Sequence, residues 1–436
     1  MFDPPGGVPN LMSALDNRTG RHRHRGNREP ATEAFHVHGH GHGHGAGHGP
    51  PLAASRRVRV LLAAALIPVA LAIVVGLWLT WPGDPPRGKV DVGFGLRPVQ
   101  GQVLAANSAP CTSGNNGAGQ AKQCISLNVL LTNGDSPGVM IQQVLPDEPS
   151  TPHFTAGDDI VLAYTGGNPS ESESYQVQDF QRGSSMLWLA ALFAAAVLLL
   201  GRWRGLASLF ALGFSFLVLA VYLFPAVLTG ASPVVVGVLA AGVIMFGVLY
   251  LTHGFSAQTS SAVLGTVLSL ALIGMLGTAF SAATRLTGLD DDTAKLIGVL
   301  GHGLDTRGLL LAGMVIGALG VLDDVTVTQT SAVWELRRAN PELGIRALYT
   351  SALRIGRDHI SSAVNTLALA YTGAALPVLL IFSLSGQGFG TMVTTQDIAQ
   401  EVVRTLVGSI GLVAAVPITT AIAAVVARHD DVEPTA

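Results

Sequence analysis

The chain is 436 residues long, 49% hydrophobic and only 12% charged, with a formal net charge of −3. Soluble domains carry about 25% charged residues, so these proportions, with a mean hydropathy of +0.46, exclude an ordinary soluble protein. The slightly acidic balance also speaks against a nucleic-acid partner.

Residues 1–57 are rich in Gly, Pro, Arg and His and show almost no apolar periodicity, which predicts a disordered cytoplasmic tail. Within it, HVHGHGHGHGAGHG sets His36, His38, His40, His42, His44 and His48 at alternating or near-alternating positions. Imidazoles suit Zn, Cu or Ni, and glycine spacers let a chain wrap an ion without strain. The tail is a candidate site for a transition-metal ion, the one cofactor the sequence brings forward. A low-complexity segment that meets metal only incidentally is the alternative.

Apolar windows near the roughly 20 residues that a bilayer demands lie at about 60–81, 186–201, 206–228, 233–251, 260–283, 308–327, 361–384 and 405–427. They predict about eight spans: an anchor at 58–81, a seven-span bundle at 186–427, and a short tail at 428–436. The second window is short, and the sixth loses its hydrophobicity partway. The anchor lies too far from Met1, and lacks a small-residue cleavage site, to read as a removable signal. With the N-terminus in the cytoplasm, the inner loops collect Arg56, Arg57, Arg59, Arg202, Arg204, Arg337 and Arg338, while the acidic run Asp290, Asp291, Asp292 falls outside. That bias places both termini inside.

Residues 82–185 are then extracytoplasmic. CISLNVLLT and GDDIVLAYT alternate like strands and are broken by turn-formers such as TNGDSPG. A small β-rich, OB-like domain is expected. Cys111 and Cys124, the only cysteines of the chain, both fall here. On the oxidising side they form a disulfide or remain free thiols. The expected fold class is therefore an all-α transmembrane helical bundle with one small extracytoplasmic β-rich domain after the first span.

GALGVLDDVTVTQTSAVWELRR, residues 317–338, sets two adjacent acids, Asp323 and Asp324, into membrane-spanning sequence. Residues at i, i+3, i+4 and i+7 share a helix face. One such line reads Gly313, Gly317, Gly320, Asp324, Thr328, Ser331, Glu335, and a second, around span seven, reads Arg354, Asp358, Ser361, Asn365, Ala368, Thr372. Neither contains a bulky apolar residue. Pairing Glu335 with Arg354 across the antiparallel helices would set Ser331 opposite Asp358, Thr328 opposite Ser361, Asp324 opposite Asn365 and Gly317 opposite Thr372. The expectation is a polar seam where Asp324 holds a proton or cation, with Asp323, Thr328, Asn365, Thr372 and Asp358 around it. A protonated Asp324 bonded to Asn365 would be purely structural, and an Asp324 that merely ends the span is the plainest alternative. The glycines are explained by close helix approach.

GLLLAGMVIGALGVLDDVTVTQTSAVWELRRANP, RIGRDHISSAVNTLALAYTGAALPVLL and EVVRTLVGSIGLVAAVPITTAIAA, in this order, resemble the YibE/F family of bacterial membrane proteins. The resemblance covers about 186–427, with a looser likeness in 88–180. It implies a multi-pass protein of the bacterial plasma membrane, in a family often suspected of transport, and no particular reaction or substrate. By that resemblance the motif acid of span six falls on Asp324, beside Asp323, and the span-seven motif on Asp358, Asn365, Tyr371 and Gly373. The His-rich tail lies outside the family pattern.

Three classes of function follow. A secondary transporter or permease of an unknown small molecule or ion fits the polar stripes. A non-transporting accessory or scaffold would act through the outer domain on an envelope protein partner, and would need that domain rather than Asp324. An enzyme is not expected, because no P-loop, HExxH or GxSxG is present. The lipid bilayer is a partner in every case, and the glycine faces leave a homo-oligomer open.

Overall fold

A computed structural model of the chain describes residues 55–83, 96–109, 111, 123–300, 303–384, 386 and 388–429. The six tail histidines and residues 430–436 lie outside these. The first helix, α1 (Arg56–Thr80), is capped by Ser55, whose Oγ accepts from the Val58 amide at 3.4 Å. The same hydroxyl donates to the His429 carbonyl at 2.9 Å. The start of α1 and the end of the last helix therefore share one end of the bundle.

Five strands follow: β1 (Arg97–Ala109), β2 (Cys124–Leu131), β3 (Met140–Pro146), β4 (Asp159–Tyr164) and β5 (Tyr175–Phe180). They pair antiparallel in the order β3-β2-β1-β4-β5. Alternation in β2 buries Leu127, Val129 and Leu131, and β4 adds Ile160 and Leu162 to the same core. β1 is the central strand. Its ladder with β2 slips between Val103 and Ala105, a bulge that bends the strand. The edges approach at Ser172, where the Gln142 amide donates to Oγ at 3.0 Å and Gln143 Nε2 to the carbonyl at 2.5 Å. Cys111 is joined in a disulfide to Cys124, the first residue of β2.

The rest is helical. α2 (Gly183–Val218), a π-helical turn (Leu219–Leu223) and α3 (Phe224–Leu228) run on without a gap. α4 (Pro233–His253), α5 (Ala257–Ala283), the short α6 (Asp291–Leu300) and α7 (Thr306–Ala339) come next. α8 (Ile345–Ala374), α9 (Leu376–Leu384), the short α10 (Phe389–Val393) and α11 (Gln396–His429) complete the chain. Side-chain caps mark three of the starts. Ser256 accepts from the Thr259 amide at 3.0 Å, Asp290 from Thr293 at 2.7 Å, and Asp305 from Gly308 at 2.8 Å. The acidic run thus opens α6, a helix within what reads as a loop in the sequence.

Among the described residues six helical runs are long and apolar enough to cross a membrane: α1, Gly183–Leu228, α4, α5, α7 and α11. α8 and α9 make a seventh if they form one span, bent by 63° at their junction. This differs from the expected eight because 186–201 and 206–228 join into one run of 46 residues. Straight, that run would reach about 69 Å, more than twice the roughly 30 Å core of a bilayer. It is not straight. Arg202 takes φ 50°, and a Cβ on Gly205 would lie 2.3 Å from the Val197 carbonyl oxygen. In a continuous helix about 12 Å of rise separates those residues, so the chain doubles back here, and only glycine fits at 205.

Packing centres on α7. With α4 and α5 it buries Val236, Ala240, Met245, Val263, Val315 and Leu319. With α5 and α11 it buries Ile273, Leu311, Met314, Leu322, Val407 and Ala415.

Two outcomes test this description. Gly205→Val, which drives a side chain into backbone, should lower the melting temperature of detergent-solubilised protein, whereas Gly274→Val, whose Cβ meets nothing within 4 Å, should leave it near wild type. Replacing Cys111 and Cys124 by Ser should destabilise the β domain by about 3 kcal/mol, as expected for releasing a loop of this size, read by pulse proteolysis of the full chain in urea.

Candidate functional site

α7 has two faces of different character. Leu311, Val315, Leu319, Leu322, Thr326, Thr330 and Val333 are buried, apolar in the first half of the helix and hydroxyl-bearing in the second. Gly313, Gly317, Gly320, Asp324, Thr328 and Glu335 are exposed. Adjacent residues differ by about 100° around a helix. Asp324 therefore looks outward, while Asp323 turns toward the buried side, one and two turns from Thr326 and Thr330.

Asp323 Oδ1 is buried and has no hydrogen-bond partner among the described residues. On this side of α7, Ile316, Leu319 and Val327 pack with Val248 and Tyr250 of α4 and with Val263, Leu264 and Val267 of α5. Neither α4, α5 nor residues 405–427 of α11 carry a Lys, Arg, Asp or Glu. The nearest titratable groups on α4 are Tyr250, bonded to Ser260 Oγ at 3.0 Å, and His253 at the helix end, bonded to Thr252 Oγ1 at 2.7 Å. No counter-charge faces the carboxylate from these helices. An ionised group in such surroundings costs several kcal/mol unless it is neutralised.

A buried hydroxyl cluster lies beside it. Thr326 Oγ1 is 2.9 Å from Thr266 Oγ1 on α5, and Thr266 also donates to the Ala262 carbonyl at 3.0 Å. Ser269 donates to the Gly265 carbonyl at 2.8 Å. From α11, Thr419 is fully buried and its Oγ1 has no partner among the described residues. It fits because residue 265 is glycine; a Cβ there would lie 2.3 Å from that oxygen. Gln329 Nε2 donates to the Ala352 carbonyl at 2.8 Å, and Gln258 Nε2 to Ser331 Oγ at 2.9 Å. Carboxylate and hydroxyl oxygens of this kind can take up a proton or coordinate a hard cation.

Sequence reasoning missed the α5 and α11 members because it followed charge. The signal was present as spacing: Ser261, Gly265 and Ser269 recur every fourth residue, and Thr419 and Thr420 follow Pro417.

The expected seam between α7 and α8 comes out differently. The register is close to the expectation, since the Tyr371 hydroxyl lies 2.7 Å from where a Cβ on Gly317 would be. The rotation of α8 is not. Leu348, Ala352, Gly356 and Leu367 face inward, because an apolar and small face packs against Val333 and Trp334. Arg354, Asp358, Asn365 and Thr372 are left exposed, as are Asp324 and Thr328 on α7, and no hydrogen bond joins Asp324 to Asn365. Nor does Glu335 pair with Arg354. It binds Arg338 at 2.8 Å, one turn along its own helix, where no chain has to be ordered across a loop.

Among the described residues no group of three or more His, Cys, Asp or Glu is placed to hold a metal ion. Metal binding by His36, His38, His40, His42, His44 and His48 falls outside those residues.

No curated protein and no solved structure matches the chain. A family model described as YibE/F-like protein matches residues 189–429, from α2 to the end of α11 and thus across α7 and its buried acid. The chain belongs to the YibE/F family.

Proposed function

We propose that this membrane protein is a secondary transporter or permease in which Asp323 takes up a proton or a cation. One observation carries the reading: a carboxylate oxygen buried in the bundle with no partner among the described residues and no counter-charge on α4 or α5. Intramembrane acids of this kind mark ion and proton routes. If α7 enters the hydrocarbon near Gly308, Asp323 lies about 23 Å along it, within a core of about 30 Å. Thr266, Thr326 and Thr419 supply the nearby hydroxyls, and Asp324 becomes an outward charge rather than the binding group.

The topology that goes with this reading has eight spans, counting the doubled-back run at Arg202 as two and α8 with α9 as one. Both termini lie in the cytoplasm of a bacterial cell, consistent with the tie between Ser55 and His429. The β domain is extracytoplasmic and OB-like; its strand order is that of an OB barrel left open between β3 and β5. Transition-metal ions are the first cations to try, given the histidines of the tail. The sequence offers no catalytic motif, so the reading is not enzymatic. A second reading, an accessory protein of the envelope, is favoured by the disulfide-closed β domain, which such a protein would use to hold its partner.

The test is flux into vesicles carrying the purified full-length protein, with proton and cation gradients read by entrapped dyes. Wild type should move at least one of these ions. Asp323→Asn should fall to background while Asp324→Asn keeps activity. An Asp323→Asn protein that transports like wild type would reject this site, and a wild type inert to every gradient would move the function to the β domain.

A further inference from the structure

α7 differs from the other long helices in what it leaves uncovered. The exposed positions of α1 include Leu61, Ile67, Leu71 and Trp78, and those of α2 include Leu187, Leu192 and Leu200, groups suited to lipid. No large hydrophobic residue of α7 is exposed. Its outward stripe consists of glycines with Asp324 and Thr328, and a Cβ added to Gly313 or Gly320 would meet nothing within 4 Å. Glycine faces of this kind serve close helix contact in membranes, yet nothing among the described residues packs onto these two positions. On α8 the exposed stripe carries Arg354, Asp358, Ser361 and Asn365, with the apolar Ile355 and Leu369 beside and beyond them.

The charges on these faces are also unsatisfied. Glu335 and Glu401 each pair within their own helix, with Arg338 and Arg404. Asp324, Arg354, Arg357 and Asp358 make no ion pair or hydrogen bond among the described residues. Of these only Asp324 falls within an apolar window (308–327), where an uncovered charge is costly against lipid; Arg354, Arg357 and Asp358 lie just ahead of the window at 361–384. The surface carries two acids and two bases, so it is complementary to itself, which is what a two-fold contact between identical chains requires.

We infer that two copies of the chain pair in the membrane through the α7–α8 face. The glycine stripe allows the close approach, and the arginines of one copy meet the aspartates of the other. Asp324 on this surface lies about 100° around α7 from Asp323, and the inference does not depend on transport.

Cross-linking tests it directly. Cys111 and Cys124 are the only cysteines and are joined to each other, so Ser361→Cys or Asn365→Cys introduces a single free thiol. A short bis-maleimide applied to membranes should give a band of twice the chain mass from both variants. Leu187→Cys on α2 should give none, although a maleimide dye labels all three thiols after solubilisation. Adding Arg354→Asp to the Ser361→Cys chain should sharply lower the yield. The inference is overturned if the labelled α8 thiols never cross-link, or link to a different protein. It is also overturned if Leu187→Cys links as readily, or if Arg354→Asp leaves the yield unchanged.

Discussion

Hydrocarbon offers a polar group no water, so each buried donor and acceptor in the bundle has to find its partner within protein. Most do so locally. Ser261, Thr266, Ser269 and Thr420 each return their hydroxyl to the carbonyl four residues earlier, at 2.6–3.0 Å. Gln329 reaches a backbone carbonyl on a neighbouring helix instead. Among the described residues four buried atoms break that pattern, Asp323 Oδ1 and Arg337 Nε on α7 and Thr419 Oγ1 and Arg404 Nε on α11; both arginines bond through another guanidinium nitrogen, so the two oxygens carry the information. Groups left unsatisfied in an otherwise satisfied interior are either costs or places where something binds.

Close packing brings the helices bearing these oxygens together. A Cβ on Gly411 would lie 2.1 Å from Ile273 Cγ1, and one on Gly265 would meet Thr419. α5 and α11 therefore approach along two glycines two turns apart, with α7 against both. Larger residues at these positions would push α11 away and open the hydroxyl cluster. The same small residues that explain packing thus also set the distance between the polar groups.

Outside the bundle the physical logic is different. The β domain is a small sheet whose single apolar face is formed by alternate residues of β1, β2 and β4, with Ile141 of β3 and Tyr175 of β5 at its sides. Its two edge strands are bridged at Ser172 rather than joined by a ladder. So small a core gains from a covalent tie, and the Cys111–Cys124 bond supplies one at the entrance to β2.

Much of this was legible in the sequence. Apolar runs near bilayer length marked the long helices, alternation marked β2 and β4, and antiparallel counting set Gly317 opposite Thr372, one residue from the Tyr371 that meets it. Periodicity says which residues share a face, but not which face is turned inward; that depends on what the neighbouring helices present. α8 turned its small and apolar side in and its polar stripe out, so Asn365 and Asp324 did not become partners. The doubling-back at Arg202 rests on a glycine meeting backbone eight residues away, which no window average contains. The α5 and α11 hydroxyls carry no charge and stood out only once they were seen buried together. The sequence by itself determined a membrane protein with an acid pair in α7. Tertiary structure decided that Asp323, and not Asp324, is the member with a buried carboxylate oxygen, because 100° of rotation separates adjacent residues and only the packed neighbours say which of them faces the core.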